Sequence, residues 1–326
     1  MASAPKKSVS IVVPCYNEAQ MLDTFIARMD SVTVPLDAFV FEYIFVDDGS
    51  TDGTEACLAA HARKNPKVKA VVLSRNVGHQ RAIQAGLDAC ETEYVIIMDV
   101  DLQDPPELVP DILGRLEAGY DLVHTVRTDR SADGFTKRFT AKLFYSFMRR
   151  WVLPELPENA GDFKGFDRRI LLAMRRYREH VRFLRGLCAT LGFRQTTLPF
   201  TRPKRHAGHS KYNLKKVLRL ARDAIVSNSA VPIRAGFYGG LVLWALLPVY
   251  AAVLLAMHAA GGLAQPSLWV MFGVCLFLFG FTLVLLGLIG EYLKVIILEV
   301  KARPLYLVRT RYNLPDPPDE HLPWHR

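Results

Sequence analysis

The chain has 326 residues, half of them hydrophobic, and a formal net charge of +9 at pH 7. That length is enough for about two domains, and the charge admits three kinds of partner: nucleic acid, anionic lipid or an anionic small substrate. No nucleic-acid-binding motif accompanies the basic residues, so we expect no nucleic-acid partner. The five cysteines are scattered without metal-ligand or redox spacing, so the sequence assigns them no chemistry.

The first part of the chain, to about residue 126, alternates short β-rich runs with helical stretches. Strands are predicted at 10–14, 41–46, 68–73, 94–98 and 122–126, and helices at 20–31, 53–65, 80–90 and 108–117. This alternation predicts an α/β fold with a Rossmann-like, mainly parallel sheet and flanking helices. Polar loops follow successive strands, so we expect ligands at one edge of the sheet.

The fourth predicted strand delivers two carboxylates, Asp99 and Asp101, one residue apart. Alternate residues of a strand share a face, so both can point the same way at its carboxyl end. Hard oxygen ligands of this kind suit Mg²⁺ or Mn²⁺, whose remaining positions commonly take substrate phosphates. The alternative is a solvated loop that contains Asp-x-Asp by chance.

Three further polar loops follow the first three predicted strands in order. The first offers Tyr16 to stack on a base and Glu18 to accept hydrogen bonds. The second carries two adjacent carboxylates, Asp47 and Asp48, which suit the hydrogen-bond donors of a nucleoside, and the third places Arg75 for a diphosphate. Capped turns explain individual loops equally well, but their order favours a nucleotide site.

The second half of the chain is less regular and carries two long apolar segments. Residues 136–150 predict a basic amphipathic helix on a membrane surface, and 170–191 are predominantly helical. The charge-free runs 235–257 and 268–290 would each reach roughly 34 Å as a helix, enough to cross a bilayer. Lys and Arg flank these runs and are absent from 258–266, which predicts both flanks in the cytoplasm.

These patterns predict four regions. They are a cytosolic catalytic domain with the acceptor region at 1–212, a juxtamembrane amphipathic helix at 213–232, a two-helix transmembrane hairpin at 233–292 and a cytosolic tail at 293–326. We expect no secretory signal peptide at the N-terminus, so the first ~230 residues stay cytosolic.

The ordered loops resemble the GT-A glycosyltransferases of family 2. Further motifs at 102–106, 161–163 and 205–212 resemble the polyprenyl-phosphate branch, which includes bactoprenol glucosyltransferases and dolichol-phosphate mannose synthases. The resemblance covers residues 8 to 300. It implies inverting, metal-dependent transfer of a hexose to undecaprenyl phosphate. UDP-glucose is the leading donor, and UDP-N-acetylhexosamine, UDP-aminoarabinose and GDP-mannose are the alternatives. The product would be a lipid-linked monosaccharide for cell-envelope glycan modification, such as that of lipopolysaccharide O-antigen.

The resemblance also implies roles for individual residues. The donor nucleotide would be held by Pro14, Tyr16, Glu18, Asp47, Asp48, Arg75, Asn76 and Gly78. The metal, Mg²⁺ or Mn²⁺, would be held by Asp99, Asp101 and Gln103. Arg127 and Arg138 would bind the acceptor phosphate, and Arg205, Ser210 and Lys211 would close over the phosphates.

The role of Asp162 stays open at this point. It contacts the sugar hydroxyls or orients an arginine such as Arg127, or else it is a loop carboxylate paired with Arg168 or Arg169. The chain departs from many relatives at two positions that follow Asp162. Lys164 stands where they often have Arg, and Gly165 stands where many have a larger residue.

The resemblance further implies a multi-pass protein of the bacterial inner membrane, with its catalytic domain facing the cytoplasm, and a homotetramer. A processive polysaccharide synthase is a rival, but it normally carries Gln-x-x-Arg-Trp, and Phe147 occupies the Gln position before Arg150-Trp151. A second rival is a catalytically inactive nucleotide-binding membrane scaffold, for which intact Asp99, Asp101 and Lys211 are poor support.

Overall fold

The computed structural model describes residues 5–128, 146, 150, 157, 160–180, 183–201, 229–260 and 266–315. Among these, residues up to 128, 157–201 and 303–315 belong to one compact unit, and residues 229–302 belong to a second. The predicted basic helix at 136–150 lies almost entirely outside the described residues, as does most of the predicted juxtamembrane helix at 213–232.

The first unit is built on a sheet in which the described residues form eight strands. In chain order they are β1 (Lys7–Cys15), β2 (Phe39–Asp47), β3 (Val68–Leu73), β4 (Tyr94–Ile97), β5 (Leu122–Arg127), β6 (Ala160–Asp167), β7 (Gln195–Phe200) and β8 (Val308–Tyr312). Their order across the sheet is β7-β5-β6-β4-β1-β2-β3-β8. β6 runs antiparallel to β4 and β5, and β8 runs antiparallel to β3, whereas the other pairs are parallel.

Helices cover both faces of this sheet. They are α1 (Ala19–Thr33), α2 (Thr54–Lys64), α3 (His79–Ala89), α4 (Val109–Glu117), α5 (Arg168–Arg176) and α6 (Leu184–Thr190). One apolar cluster packs α1, α2 and α4 on the sheet, and another packs α3, α5 and α6 on the opposite face. Ile11 and its neighbour Val12 belong to opposite clusters, as the alternation of an extended chain requires. The predicted α/β fold is confirmed.

The five predicted strands and four predicted helices of the first part are present with small shifts at their ends. Three strands were not predicted: β6, β7 and β8. β6 contains Gly161, Asp162, Lys164 and Gly165, which are poor strand formers, and it is extended because it pairs with a neighbour on each side. Gly165 has a packing role, since a Cβ there would overlap the Ile112 side chain of α4.

The second unit contains two long helices, α7 (Val231–Ala259) and α8 (Pro266–Val300). Residues Val231–Tyr250 and Gly273–Val300 within them are long and apolar enough to be candidate membrane spans. The predicted spans at 235–257 and 268–290 fall inside these helices. Gly236 of α7 lies against Leu285 of α8, where the missing side chain allows a close approach.

Candidate active site

The carboxyl ends of β1 to β4 surround a cavity of about 390 Å³. β1 lies between β2 and β4, which is where the strand order reverses and where α/β sheets commonly bind ligands. The residues that line the cavity are Pro14, Cys15, Tyr16, Glu18, Asp48, Asn76, Gly78, His79, Ala82, Asp99, Val100 and Asp101. Eight of these were predicted as site residues from the sequence, so four separate motifs meet at one place.

The loop after β1 is held by the loop after β2. The backbone N–H of Asn17 donates to Ser50 Oγ at 2.9 Å, and that of Glu18 donates to Thr54 Oγ1 at 3.0 Å. Asn17 adopts a positive φ of 57°, a conformation that asparagine tolerates better than most residues. These bonds place Glu18 at the cavity wall and leave the ring of Tyr16 47% exposed beside it.

Asp48 organises the loop after β3. Its Oδ1 accepts from the backbone N–H of Val77 at 2.7 Å, and its Oδ2 accepts from that of Gly78 at 3.0 Å. Burial raises the pKa of Asp48, and these two donors oppose the rise. The adjacent Gly49 has a φ of 68°, and a Cβ there would lie 2.5 Å from the backbone carbon of Arg75. The two loops therefore meet at a position that requires glycine.

Three predicted ligand residues are not among those that line the cavity: Asp47, Arg75 and Gln103. Asp47 is fully buried, and its Oδ1 accepts from the backbone N–H of Ser50 at 3.0 Å. Burial raises the pKa of Asp47. Adjacent carboxylates at the end of a strand point to opposite faces, so of this pair only Asp48 reaches the cavity. The backbone N–H of Gln103 donates to Asp101 Oδ1 at 3.1 Å.

Asp99 and Asp101 follow the fourth strand, as predicted, but they lie in a turn, so the strand alternation from which their common direction was predicted does not apply to them. β4 ends at Ile97, and the turn is closed by the backbone N–H of Asp99, which donates to Asp104 Oδ2 at 3.1 Å. Leu102 adopts a φ of 56°, a conformation that is costly for a non-glycine residue. The turn still places both carboxylates in the cavity wall.

Asp162 on β6 is the centre of a second polar cluster. Arg185 Nε donates to Asp162 Oδ1 at 3.1 Å, and Gln80 Nε2 donates to Asp162 Oδ2 at 3.2 Å. His79 Nε2 lies 3.7 Å from Asp162 Oδ2 and 3.7 Å from Asp99 Oδ1. His79 therefore connects this cluster to the Asp-x-Asp turn.

The basic side chains near Asp162 keep it ionised. Burial alone would raise the pKa of Asp162, but Arg185, Lys164 and His79 together hold it well below its usual range. Lys164 is fully buried on the same face of β6, and its Nζ makes no hydrogen bond within the described part of the chain. The Coulombic attraction of Lys164 is one of the interactions that lower the pKa of Asp162.

The alternative prediction that Asp162 pairs with Arg168 or Arg169 is wrong. Arg168 Nη2 instead lies 3.3 Å from Glu91 Oε2, and Arg169 pairs with Asp121 and Asp167. Arg127 ends β5 beside Gly161, since its Nη2 lies 3.7 Å from where a Cβ on that glycine would be.

Sequence reasoning missed His79, Gln80 and Arg185. The first two begin α3 directly after Gly78, so extending the predicted third loop by two residues would have included them. Arg185 carries no such signal, since it comes 23 residues after Asp162 on another element. The predicted acceptor and phosphate residues Arg138, Arg205, Ser210 and Lys211 lie outside the described residues, and their roles stay predictions.

The parallel core of the sheet, its two helical layers and the carboxylate-lined cavity define a GT-A-type glycosyltransferase domain. The model of the family "Glycosyl transferase family 2" matches residues 10–174, and the chain belongs to that family. The family resemblance inferred from the ordered loops is thereby confirmed.

Curated relatives match nearly the whole chain. An uncharacterized glycosyltransferase of Synechocystis sp. is 40% identical over 97% of each chain. A bactoprenol glucosyl transferase of Shigella phage SfX is 35% identical over 93% of this chain and 99% of the relative. A prophage bactoprenol glucosyl transferase homolog of Escherichia coli K12 is 34% identical over 92% and 98%.

Among solved structures, a mannosyltransferase of Pyrobaculum calidifontis in complex with GDP-Man and Mn²⁺ is 19% identical. The match covers 89% of this chain and 88% of that chain, with a TM-score of 0.46.

Proposed function

We propose that the protein transfers a hexose from a nucleotide-diphosphate sugar to the phosphate of a polyprenyl carrier. The observation that carries this proposal is the meeting of both Asp-x-Asp carboxylates with three nucleotide-type loops around one cavity. The bactoprenol glucosyl transferases that match more than nine-tenths of the chain support a polyprenyl phosphate as acceptor. Glucose is the leading sugar, in keeping with the names of the same relatives, and UDP is the nucleotide that we propose from the family resemblance.

The donor nucleoside would occupy the part of the cavity formed by the first two loops. The half-exposed ring of Tyr16 offers a face on which a base can stack, and Glu18 offers a carboxylate to its N–H groups. Asp48 contributes by holding Val77 and Gly78, so that the backbone of the third loop can approach the diphosphate closely.

Asp99 and Asp101 are the residues that would hold a divalent cation. Both are carboxylates in the cavity wall, and a set of hard oxygen donors fits Mg²⁺ or Mn²⁺. When bound, the ion would neutralise charge on the departing nucleoside diphosphate. Gln103 remains a predicted third ligand.

The acceptor needs no general base, because a phosphate monoester is already ionised at neutral pH. Asp162 fits this requirement: a carboxylate whose pKa is held well below its usual range is a weak base. We assign it a positioning role, in which it fixes Arg185 and Gln80 beside the cavity. Arg127 and Arg138 would align the acceptor phosphate for attack opposite the leaving group, with inversion at the anomeric carbon.

The two apolar helices would keep the reaction centre at the level of the lipid headgroups. Lys and Arg residues flank both candidate spans, which favours a cytoplasmic position for the catalytic unit of a multi-pass protein in the bacterial inner membrane. The lipid-linked sugar would then serve cell-envelope glycan modification. A homotetramer is the assembly that we propose from the family resemblance.

Sugar transfer by the detergent-purified full-length protein tests this proposal. Labelled nucleotide sugars are offered singly with undecaprenyl phosphate, with and without EDTA. We expect one lipid-linked monosaccharide whose formation stops with EDTA and falls about 100-fold or more in Asp101→Ala. Asp37→Ala, the same change at an exposed loop position, should leave the rate unchanged.

Three outcomes would contradict the proposal. Transfer that resists both EDTA and Asp101→Ala would remove the metal role of the Asp-x-Asp turn. Polymer formation would identify a processive synthase. Nucleotide-sugar binding without turnover on any lipid phosphate would identify a scaffold.

A further inference from the structure

A second cluster of metal-ligating side chains lies on the helices α1 and α2. Asp23 of α1 and Cys57 and His61 of α2 each offer one ligand atom, and these three atoms lie within 4.8 Å of one another. Cys57 and His61 are four residues apart, so they share one face of α2. None of the three lines the proposed active-site cavity.

We propose that Asp23, Cys57 and His61 form a site for a borderline transition-metal ion, best matched by Zn²⁺, which cross-links α1 to α2. The choice of ion follows from the three types of ligand atom, a sulfur, a nitrogen and an oxygen. Zn²⁺ accepts a thiolate, an imidazole and a carboxylate together, whereas Mg²⁺ selects oxygen ligands. Three protein ligands leave the fourth tetrahedral position to water.

The distances suit a small rearrangement. Zn–ligand bonds of about 2.0–2.3 Å place the ligands of a tetrahedral ion about 3.3–3.8 Å apart. His61 Nε2 and Asp23 Oδ1 now lie 2.6 Å apart, so the ion would enter by opening this contact by about 1 Å. Asp23 is 79% exposed and His61 is 26% exposed, so solvent reaches the site and the Asp23 side chain can adjust.

Cys57 must lose its proton to bind a metal ion. Burial, followed by the charges of Asp23 and Asp52, raises the pKa of Cys57, so that the sulfur keeps its proton while no cation is present. Binding of the ion forms a metal–sulfur bond and releases that proton to solvent.

The position of the cluster gives the cross-link a structural effect on the neighbouring cavity loops. α1 begins at Ala19, directly after Glu18, and α2 begins at Thr54. Thr54 Oγ1 accepts from the backbone N–H of Glu18, so the starts of the two helices are already joined at the cavity. A metal at Asp23, Cys57 and His61 would join them a second time, further along both helices.

Cobalt titration of the EDTA-treated full-length protein in detergent provides the test. We expect one equivalent of Co²⁺ to produce a thiolate-to-metal charge-transfer band, and Zn²⁺ to displace it. The band should survive in Asp101→Ala, which removes a proposed catalytic-metal ligand, and should be lost in Cys57→Ser. Cys275→Ser, at an exposed cysteine of α8, is the matched control and should keep the band.

A second measurement separates ligation from an effect on folding. Zn²⁺ should raise the melting temperature of the wild type and of Asp101→Ala by about 2 °C or more, but not that of His61→Gln. Absence of the charge-transfer band in the wild type, or its persistence in Cys57→Ser, would overturn the inference. Neither result would bear on sugar transfer, which is measured separately with Mg²⁺ or Mn²⁺.

Discussion

Two basic side chains, His124 and Lys164, are buried next to each other in the sheet. They are register partners on β5 and β6, and His124 is 1% exposed. Burial, followed by the charge of Lys164, lowers the pKa of His124 to about 4. His124 is therefore neutral at pH 7, and its Nε2 lies 2.9 Å from Gln195 Oε1. Lys164, the register partner of His124, is also among the groups that lower the pKa of Asp162.

This arrangement predicts a loss of stability in mild acid. In the unfolded chain a histidine has a pKa of about 6.5, so between pH 6.5 and 4 the unfolded state binds a proton that the folded state excludes. Stability therefore falls as the pH falls through this window. For a shift from 6.5 to about 4, the loss is about 3 kcal/mol.

Urea unfolding of wild type and His124→Gln between pH 7 and pH 4 measures that loss. The variant keeps a polar side chain beside Gln195 but cannot titrate, so its free energy of unfolding should depend less on pH. Other groups contribute equally to both proteins and cancel in the difference. Parallel pH profiles for the two proteins would show that His124 is not responsible.

At the scale of elements, the sequence predicted the helices and strands whose own residue pattern is typical of the structure that they adopt in the fold. β1 to β5 and α1 to α4 have clear apolar runs or helical periodicity, and all were found. β6 and β8 are polar or glycine-containing, and they are strands because neighbouring strands offer them hydrogen-bond partners. Such pairing depends on residues far away along the chain, so no local pattern records it.

Gly49 makes a prediction about the contact between the second and third loops. An alanine there would adopt an unfavourable positive φ and press on the backbone of Arg75. We expect Gly49→Ala to lower the free energy of unfolding by at least about 2 kcal/mol. We also expect it to weaken nucleotide-sugar binding, because the third loop must move away from Asp48.

Gly114→Ala is the matched control for this substitution. Gly114 lies in α4 with open space around its Cβ position, so alanine there should stabilise the protein by about 0.5–1 kcal/mol. Urea unfolding and equilibrium binding of the donor on both variants provide the comparison. Equal effects of the two substitutions would refute the close-approach role of Gly49.

At the scale of the whole molecule, the sequence predicted most of the cavity wall but not the cluster behind it. Tyr16, Asp48 and Asp99 follow the ends of three parallel strands. Because these strand ends lie side by side in the sheet, motifs that are separate along the chain line one cavity. The Asp162–Arg185 pair joins β6 to α6, and that contact exists only because β6 is inserted between β4 and β5. A single sequence contains no local sign of that insertion.

The segment after α8 also forms a strand pairing that the sequence did not predict. It was predicted as a cytosolic tail, but β8 within it pairs with β3 at the edge of the catalytic sheet. The backbone N–H of Ser74 donates to the carbonyl of Leu307 at 2.9 Å, and Tyr306 Oη donates to Asp88 Oδ2 at 2.6 Å. The chain that leaves the second apolar helix therefore becomes part of the sheet whose strand ends form the candidate active site.

Asn313 secures the end of β8 and carries the last prediction. Its Nδ2 donates to the carbonyls of Ala62 at 2.6 Å and Val68 at 2.9 Å, and its φ is 54°. Asn313→Gly loses both hydrogen bonds but keeps an easy positive φ, whereas Asn313→Ala loses the bonds and adds about 1 kcal/mol of backbone strain. In urea unfolding, the free energy of unfolding should therefore be highest for the wild type, lower for Asn313→Gly and lowest for Asn313→Ala, which should lie about 2–3 kcal/mol below the wild type.

If Asn313→Gly were as stable as the wild type, the two side-chain hydrogen bonds would contribute nothing to holding β8. If Ala matched Gly, the positive φ would carry no cost, and the choice of asparagine at this position would rest on its hydrogen bonds alone.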